Sequence, residues 1–263
     1  MKIIGWNING IRGKSMNLFN KDKTINNECE FSRMMELYNP DVVCFGETKC
    51  QEMHVENFEQ LPFKYKSWNC SRARKGYSGV CILSNIEFTD LGSIPIEDGD
   101  IEGRSRVVEF EECVLIYVYT PNSGGRGEYR IEWDTVMYNY LEELKEKNKM
   151  IILGGDMNVV NMEQDIHSRK VLYESKLPGT LLHERLNFRK YFDIGYIDIW
   201  RKKNEDRKQY TWWNPRVKGR DRNIGWRIDY YLINKEYYDN VKDVKILDDI
   251  KGSDHCPIYI EIS

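Results

Sequence analysis

The stretch at residues 150–160, MIILGGDMNVV, is the point from which the rest of the chain can be interpreted. Four apolar residues run into two glycines and then into Asp156 and Asn158, the pattern of a buried strand that ends in polar side chains. Residues two apart on an extended segment point the same way, so both side chains are expected to face one spot. The paired glycines predict close approach of a phosphate-sized group to the backbone. We therefore place the floor of an active site here.

The chain has 263 residues, and no Pro/Ser-rich or low-complexity linker divides it, so one domain over residues 1–263 is expected. Its content of 13% aromatic and 31% charged residues is typical of a folded, soluble protein. Without a membrane-length apolar run or a signal peptide before the first strand, the protein is expected to be intracellular and not secreted. Its compartment would be the cytoplasm in a prokaryote or the nucleus in a eukaryote.

Cysteine and charge content exclude some classes of site. Seven cysteines without a CxxC pair favour reduced, structural thiols over a disulfide framework or a zinc site. A net charge of -3 means that nucleic-acid binding would have to come from local basic patches. Two basic runs are present, at residues 72–75 and at 216–222.

The apolar pattern predicts more strands than helices. Strands are expected at residues 2–7, 41–45, 65–69, 80–83, 106–110, 114–119, 150–153, 210–213, 226–233 and 257–262. Helices are expected at residues 31–38, 133–144 and 181–191, and a surface loop or frayed helix entry at 14–30. This order indicates packed sheets with helices outside, and not a doubly wound parallel sheet.

Polar side chains adjoin several other predicted strands. They are Asn7 and Asn9, Glu47, Asp229, and the pair Asp254 and His255. Each alone is common at a strand end, but their recurrence favours a shared site. Oxygen donors from separate strands, without a Cys/His cluster, suit a hard cation such as Mg²⁺.

Individual roles follow from residue chemistry. Glu47 and Asp254 are candidate metal ligands, and Asn9 is placed to reach the ion through water. His255 is expected to pair with Asp229 and to present its other nitrogen to a phosphoryl oxygen. The remaining histidines, His54, His167 and His183, are expected to be surface residues.

Seven motifs carry a family resemblance: WNINGIR, GETKC, KGYSGV, YTPNS with EYRIEWD, GGDMNV, YTWW with NIGWRIDY, and GSDHCPI. In this order they resemble the exonuclease III type of apurinic/apyrimidinic (AP) endonuclease, within the wider endonuclease/exonuclease/phosphatase superfamily. YTWW followed by NIGWRIDY resembles the segment that reads DNA in the repair branch. The resemblance implies an α/β fold, a four-layer α/β sandwich with two mixed β-sheets packed face to face and helices outside.

The resemblance also implies roles at the matching positions. Glu47 is the principal ligand of Mg²⁺, or alternatively Mn²⁺, with Asn9 and Asp254 close to the ion. Asp156 orients or deprotonates the attacking water, and Asn158 positions it. Contacts to the scissile phosphate are implied for Asn7, Tyr119 and His255, and Asp229 holds His255. The general base stays open between Asp156 and His255.

The resemblance implies DNA contacts at Gly76 and Tyr77. Further candidates are Asn122 and Arg126, on the loop after Tyr119, and Arg216, in the basic run beside the Trp-rich segment. Trp212, Trp226 and Ile228 are either core residues or, by the resemblance, walls of a pocket for a flipped-out abasic deoxyribose. The expected function is a Mg²⁺-dependent phosphodiesterase that cuts duplex DNA 5′ of abasic sites and leaves a 3′-hydroxyl. Trimming or 3′–5′ exonuclease activity at 3′ ends is expected beside it.

The expected partner is double-stranded DNA with abasic or damaged sites, bound by a monomer without a membrane. Two alternative enzymes remain: one that nicks beside deaminated bases such as uridine, and a superfamily phosphatase or phospholipase on non-DNA phosphoesters. A catalytically dead nucleic-acid-binding module is disfavoured, because every expected catalytic position holds a competent residue.

Overall fold

Two six-stranded mixed sheets dominate the computed structural model, which describes residues 1–13 and 16–263. The strands of sheet I are β1 (Lys2–Asn7), β2 (Val42–Gly46), β3 (Tyr65–Asn69), β4 (Val80–Ser84), β13 (Val241–Ile246) and β14 (Ile258–Ile262). Those of sheet II are β5 (Thr89–Gly92), β6 (Ser105–Glu109), β7 (Cys113–Tyr119), β8 (Met150–Asp156), β9 (Tyr196–Asp198) and β12 (Asp229–Asn234). Side by side, the strands of sheet I have the order β13-β14-β1-β2-β4-β3 and those of sheet II the order β5-β6-β7-β8-β12-β9. A two-stranded ribbon pairs β10 (Trp212–Trp213) with β11 (Gly225–Trp226).

Helices cover the outer faces of the sheets, so the predicted sandwich is confirmed. They are α1 (Glu30–Tyr38), α2 (Gly127–Leu144), α3 (Arg169–Glu174), α4 (Leu182–Asp193) and α5 (Ile199–Lys203). On α2, residues Trp133, Met137 and Leu141 are buried at helical spacing against sheet II. In the described ranges, no helix is both long and apolar enough to cross a membrane. All seven cysteines are free thiols, as expected.

The apolar layer between the sheets depends on glycines that oppose tyrosines. A Cβ on Gly5 would lie 2.6 Å from Cε2 of Tyr117, and one on Gly154 would lie 2.4 Å from Cε1 of Tyr231. Gly155 has φ 123°, and a Cβ there would lie 2.1 Å from the carbonyl oxygen of Val118 on the neighbouring strand. The prediction that these glycines admit a phosphate is therefore wrong. They admit an aromatic ring and a neighbouring strand.

Several predicted boundaries also differ from the structure. The strand expected at residues 226–233 is two strands, because the chain leaves β11 at Arg227 and Ile228 before β12 begins. The edge strands β5, β9 and β13 and the short helices α3 and α5 were not predicted. The loop expected at residues 14–30 includes residues 14 and 15, which lie outside the description. In its described part Met16, Leu18 and Cys29 are buried against the outer face of sheet I, so the segment is not purely a surface loop.

Candidate active site

Strand ends from both sheets meet at one edge of the sandwich. Tyr119, Asp156 and Asp229 are lateral neighbours on β7, β8 and β12 of sheet II. Asn7 ends β1 in sheet I, and its Nδ2 donates to Oδ2 of Asp156 at 3.0 Å. Glu47 follows β2, whose last residue lies beside Asn7. The fold therefore brings together side chains that are far apart in sequence.

Backbone strain accompanies this assembly. Asn9, Glu47, Lys49 and Asn158 all have positive φ, between 47° and 51°. Such a conformation is unfavourable for non-glycine residues and persists where the surroundings hold it in place, often at functional sites. These four residues turn the chain just after the strands β1, β2 and β8 end.

The Asp156 carboxylate is buried and held at both oxygens. Oδ1 accepts the backbone N–H of Asn158 at 2.8 Å, and Oδ2 accepts the Asn7 amide. Burial raises the pKa of Asp156 to about 7; the positive charge of His255 opposes this rise, and the nearby carboxylate of Asp229 adds to it. A carboxylate with such a pKa can accept a proton near neutral pH.

The predicted pairing of His255 with Asp229 is present. Nδ1 of His255 lies 2.8 Å from Oδ2 of Asp229, and Nε2 lies 3.8 Å from Oδ2 of Asp156. Burial by itself would lower the pKa of His255, but the charge and hydrogen bond of Asp229, with Asp156 and Asp254 adding to them, raise it to about 10. The ring is therefore an imidazolium at neutral pH, with Nε2 as a donor.

The predicted metal ligands form a chain of contacts. Asn9 donates through Nδ2 to Oδ1 of Asp254 at 3.0 Å. The Lys49 ammonium lies 3.1 Å from Oε2 of Glu47 and donates to Oδ1 of Asn9. The Lys49 ammonium thus lies between oxygens of Glu47 and Asn9, and oxygens that bind this cation fit the predicted donor set for a hard metal ion.

A second group can also hold a cation. Donor atoms of Asp156, Asp229 and His255 lie within 4.8 Å of one another, and all three residues are buried. A metal here would require a neutral His255 and would compete with its hydrogen bond to Asp229. The described residues therefore offer an acidic and histidine cluster for a metal ion. A metal ion bound by the oxygens around Glu47 would not require His255 to be neutral or to give up its hydrogen bond to Asp229.

Tyr119 presents a phenol next to these groups. Burial raises its pKa well above the ordinary value, and the adjacent Glu47 carboxylate raises it further. The Arg104 guanidinium lies 4.6 Å from the ring centroid and donates to the Tyr119 carbonyl oxygen at 3.1 Å. The phenol is therefore a fixed hydrogen-bond donor.

A cleft of about 470 Å³ opens over the polar groups. Ten predicted site residues line it: Glu47, Tyr119, Asn122, Asp156, Asn158, Trp212, Trp226, Ile228, Asp254 and His255. The rings of Trp212 and Trp226 meet at 5.2 Å and 63°, and both are only partly buried. Trp212 also donates through Nε1 to Oδ2 of Asp254 at 3.1 Å. This hydrogen bond connects the apolar wall of the cleft, formed by Trp212 and Trp226, to its polar residues.

Other predicted residues lie outside the cleft lining. Asn7 and Asp229 are buried behind it, and Asn9, Gly76 and Arg216 lie exposed at the surface. Tyr77 accepts hydrogen bonds from Arg104 and Arg126 at 2.6 and 2.8 Å. Arg126 is also paired with Glu102. His167 is exposed as expected, but it lines the cleft, which was not predicted.

Similarity to known proteins agrees with this geometry. The model of the endonuclease/exonuclease/phosphatase family matches residues 4–255, from β1 to His255. The chain belongs to this family. An exodeoxyribonuclease of Bacillus subtilis (strain 168) is 34% identical over 268 residues, covering 100% of both chains.

Two further relatives extend the comparison. A DNA-(apurinic or apyrimidinic site) endonuclease of Dictyostelium discoideum is 33% identical over 100% of this chain and 70% of its own length. The solved structure of an AP endonuclease from Leishmania major superposes with a TM-score of 0.83 at 25% identity, covering 98% of this chain and 86% of that one. The family membership and the sandwich fold expected from the motifs are therefore confirmed.

One functional candidate in this family member was missed by sequence reasoning. Arg130 on α2 is buried and donates to the carbonyl oxygens of Pro121, Met157 and Asn158 at 3.1–3.2 Å. Its Nε donates to Oδ1 of Asp134 at 2.8 Å. The guanidinium thus clamps the loops after β7 and β8. The only sequence signal was its place in the motif EYRIEWD.

Proposed function

We propose that this chain is a Mg²⁺-dependent DNA repair phosphodiesterase that hydrolyses the backbone 5′ of abasic sites and leaves a 3′-hydroxyl. Processing of 3′ ends is part of the same proposal. One observation carries it: a single cleft joins the Asp156 and His255 end to the Trp212 and Trp226 wall. The first end suits phosphoryl chemistry, and the second suits an apolar sugar without a base.

The proposed metal ligands are Glu47 and Asp254, with Asn9 beside them. Asp254 has a lowered pKa: burial opposes the change, but the charge of His255 and the hydrogen bonds from Trp212 and Asn9 outweigh it. It is therefore ionised at neutral pH. A bound Mg²⁺, or Mn²⁺, would supply charge stabilisation at the phosphoryl oxygens.

Proton transfer is assigned to Asp156. Its raised pKa and its fixed oxygens support a role as acceptor from the attacking water, with Asn158 positioning that water. His255 is protonated, so it serves as a donor from Nε2 to a non-bridging oxygen. The Tyr119 phenol donates to the same phosphate, whereas Asn7, which was predicted to contact it, is buried behind the cleft and holds Oδ2 of Asp156. Asp229 holds the imidazolium in orientation.

Substrate selection is assigned to the apolar wall. Trp212, Trp226 and Ile228 face the same cleft as the catalytic carboxylate. A nucleotide that has lost its base is cheap to extrude from the duplex and is small enough for this wall, whereas an intact nucleotide is neither. The predicted alternative of pure core packing fits Ile228 better than the partly exposed tryptophans.

We assign binding of the DNA duplex on either side of the lesion to surface residues around the cleft. Gly76 and Arg216 are exposed, and Asn122 lies at the cleft itself. Tyr77 and Arg126 are held by Arg104 and Glu102, which presents them in a fixed position. We place the enzyme inside the cell, acting as a monomer on double-stranded DNA with abasic or damaged sites.

A substrate panel tests the proposal. The duplexes are one with a single stable abasic analogue, one intact and one containing uracil, and the non-DNA substrates are an inositol phosphate and a phospholipid. We expect a nick only 5′ of the analogue, with a 3′ end that a DNA polymerase extends. Preferential hydrolysis of a non-DNA phosphoester, or a nick only beside uracil, would replace the proposal with one of its alternatives.

A further inference from the structure

Five arginines are buried in the part of the chain that the structure describes, and one of them differs from the rest. Arg104, Arg130, Arg201 and Arg227 each pair with a carboxylate, at 2.5–2.8 Å. Arg185 on α4 is 6% exposed, yet within residues 1–13 and 16–263 it pairs with no carboxylate. A buried charge without a partner is costly. Arg185 is thus a cation placed to receive an anion.

The surroundings of Arg185 leave its donors available. Its Nε is buried, and among the described residues it has no hydrogen-bond partner. Its guanidinium lies 5.2 Å from the ring centroid of Tyr173 on α3, which fixes its plane without using an N–H group. The neighbouring acid, Glu163, accepts from the Tyr173 hydroxyl at 3.0 Å and pairs with Arg169 at 3.2 Å. Both contacts use Oε1 of Glu163, so this carboxylate is oriented toward Tyr173 and Arg169.

Arg185 lines a groove of about 410 Å³ that is separate from the catalytic cleft. The groove is lined by Met162, Glu163, Gln164, Tyr173, Arg185, Arg189 and Lys208. Arg189 uses Nε and Nη2 on Asn161, at 3.0 and 2.9 Å. Three cations thus face one acid, so the groove is positively charged.

The helix α3 separates the groove from the cleft. Val171 on α3 lines the cleft, and Tyr173, two residues later, lines the groove. Residues two apart lie on opposite faces of a helix, and a helix with its side chains is about 10–12 Å across. A ligand in the groove would therefore lie about one helix diameter from the cleft.

We propose that this groove is a second anion site, which binds a phosphate group through Arg185, Arg189 and Lys208. Guanidinium groups match the oxygens of phosphate in geometry and charge, and Lys208 adds a mobile ammonium. The same chemistry is offered by a DNA backbone phosphate beyond the cleft and by free phosphate. The DNA source rests on the proposed function, whereas the anion site itself does not.

Nuclear magnetic resonance of the arginine Nε–H groups tests the site directly. The Arg185 signal is assigned by its loss in Arg185→Lys, and inorganic phosphate is then titrated into the wild-type protein without a metal. We expect a saturable shift of the Arg185 signal. In Lys208→Gln the same shift should need roughly two- to fivefold more phosphate, as for one exposed charge pair. Lys242→Gln, which removes an exposed charge on β13, should match wild type.

A second experiment distinguishes a DNA backbone phosphate from free phosphate as the ligand of the groove. Binding of an intact duplex is measured against salt concentration, for wild type and Arg185→Gln. A slope smaller by about 1 in the variant assigns the groove to the DNA backbone. An unchanged slope with a retained phosphate shift in wild type assigns it to free phosphate. An Arg185 signal that phosphate does not shift, together with an unchanged salt slope in Arg185→Gln, or equal phosphate affinity in wild type and Lys208→Gln, overturns the proposal. None of these readouts needs cleavage, so they stand even if the chain fails to nick abasic DNA.

Discussion

The amide of Asn7 donates to the carboxylate of Asp156 at 3.0 Å, and this contact joins the end of β1 in sheet I to the end of β8 in sheet II. The carboxylate is buried, with His255 on one side and Asn158 on the other. Face-to-face packing of the sheets therefore determines how the proposed base is oriented. Two proposed site residues, Asn7 and Asp156, thus also link the two sheets.

Replacing the proposed base should separate activity from stability. We expect Asp156→Asn to cut the wild-type single-turnover rate on an abasic duplex by about 10²- to 10⁴-fold, the usual worth of positioned general-base help. The folded pKa of about 7 lies above the ordinary 3.8, so the ionised carboxylate costs stability above pH 7. The variant should therefore melt no lower than wild type at pH 8. Asp239→Asn, an exposed control, should change neither quantity; cleavage at the wild-type rate by Asp156→Asn would refute the assignment.

Removal of the partner of His255 should alter the pH dependence. The charge and the hydrogen bond of Asp229 are the largest of the effects that raise the pKa of His255 to about 10, against the effect of burial. In Asp229→Asn we expect a lower His255 pKa, so the rate should fall at a lower alkaline pH than in wild type. Rate profiles from pH 6 to 10.5 measure this. Identical alkaline limbs would show that the protonated ring is not needed.

The pair of Asp229 and His255 should also affect how the free energy of unfolding depends on pH. Between pH 6.5 and about 10 the folded state holds a proton on His255 that the unfolded chain does not. Its stabilisation is complete below pH 6.5 and is lost as the pH rises through 10. We expect the free energy of unfolding of wild type to decline over this window more steeply than that of Asp229→Asn. Denaturant titrations at several pH values test this, and parallel curves would contradict it.

Arg130 should act as a positioning residue. In Arg130→Lys a single ammonium replaces a fork that bonds three carbonyl oxygens. We expect kcat to fall on the order of 10²-fold with a smaller change in KM, since the loops carrying Asn158 shift. Arg201→Lys is the matched control, because Arg201 also bonds three carbonyl oxygens, outside the cleft. Equal losses of kcat in the two variants would reduce Arg130 to a stabilising role.

The apolar wall should determine discrimination. We expect Trp226→Ala to lower the ratio of abasic to intact duplex cleavage by about tenfold or more, because an indole contact contributes roughly 1–3 kcal/mol. The intrinsic rate on the intact duplex should fall less. Trp68→Ala removes a partly buried indole on β3, outside the cleft. That control should leave the ratio unchanged; a proportional loss on both substrates in Trp226→Ala would count against the pocket.

The sequence predicts the elements with strong periodicity and the polar residues at their ends. Residues 150–153 and 31–38 were predicted because apolar runs and an Asn-Pro stop are local signals. The edge strand β9 has three residues and β5 is largely exposed, so neither gives an alternating pattern. The break at Arg227 arises from tertiary contacts: its guanidinium is buried between Asp165 and Asp198. No local pattern encodes it.

The candidate site, like the fold, contains features that the sequence predicts and others that depend on tertiary contacts. The positions of Asp156, Glu47 and His255 at one cleft were predictable because these residues adjoin strands and match family motifs. The clamp by Arg130 and the groove at Arg185 depend on which carbonyl or carboxylate the fold brings near each guanidinium. The role of Gly154 was misjudged for the same reason, since the ring of Tyr231 that fills its space comes from β12.

The measurement that tests the account most directly is metal-dependent cleavage at one defined lesion. A labelled duplex with a single abasic analogue is incubated with the protein in chelator, and Mg²⁺ is then added in excess. The account predicts no product in chelator and, after Mg²⁺ is added, one nick 5′ of the analogue that ends in a 3′-hydroxyl. An equal nick in chelator, or none after Mg²⁺ or Mn²⁺ is added, would contradict it.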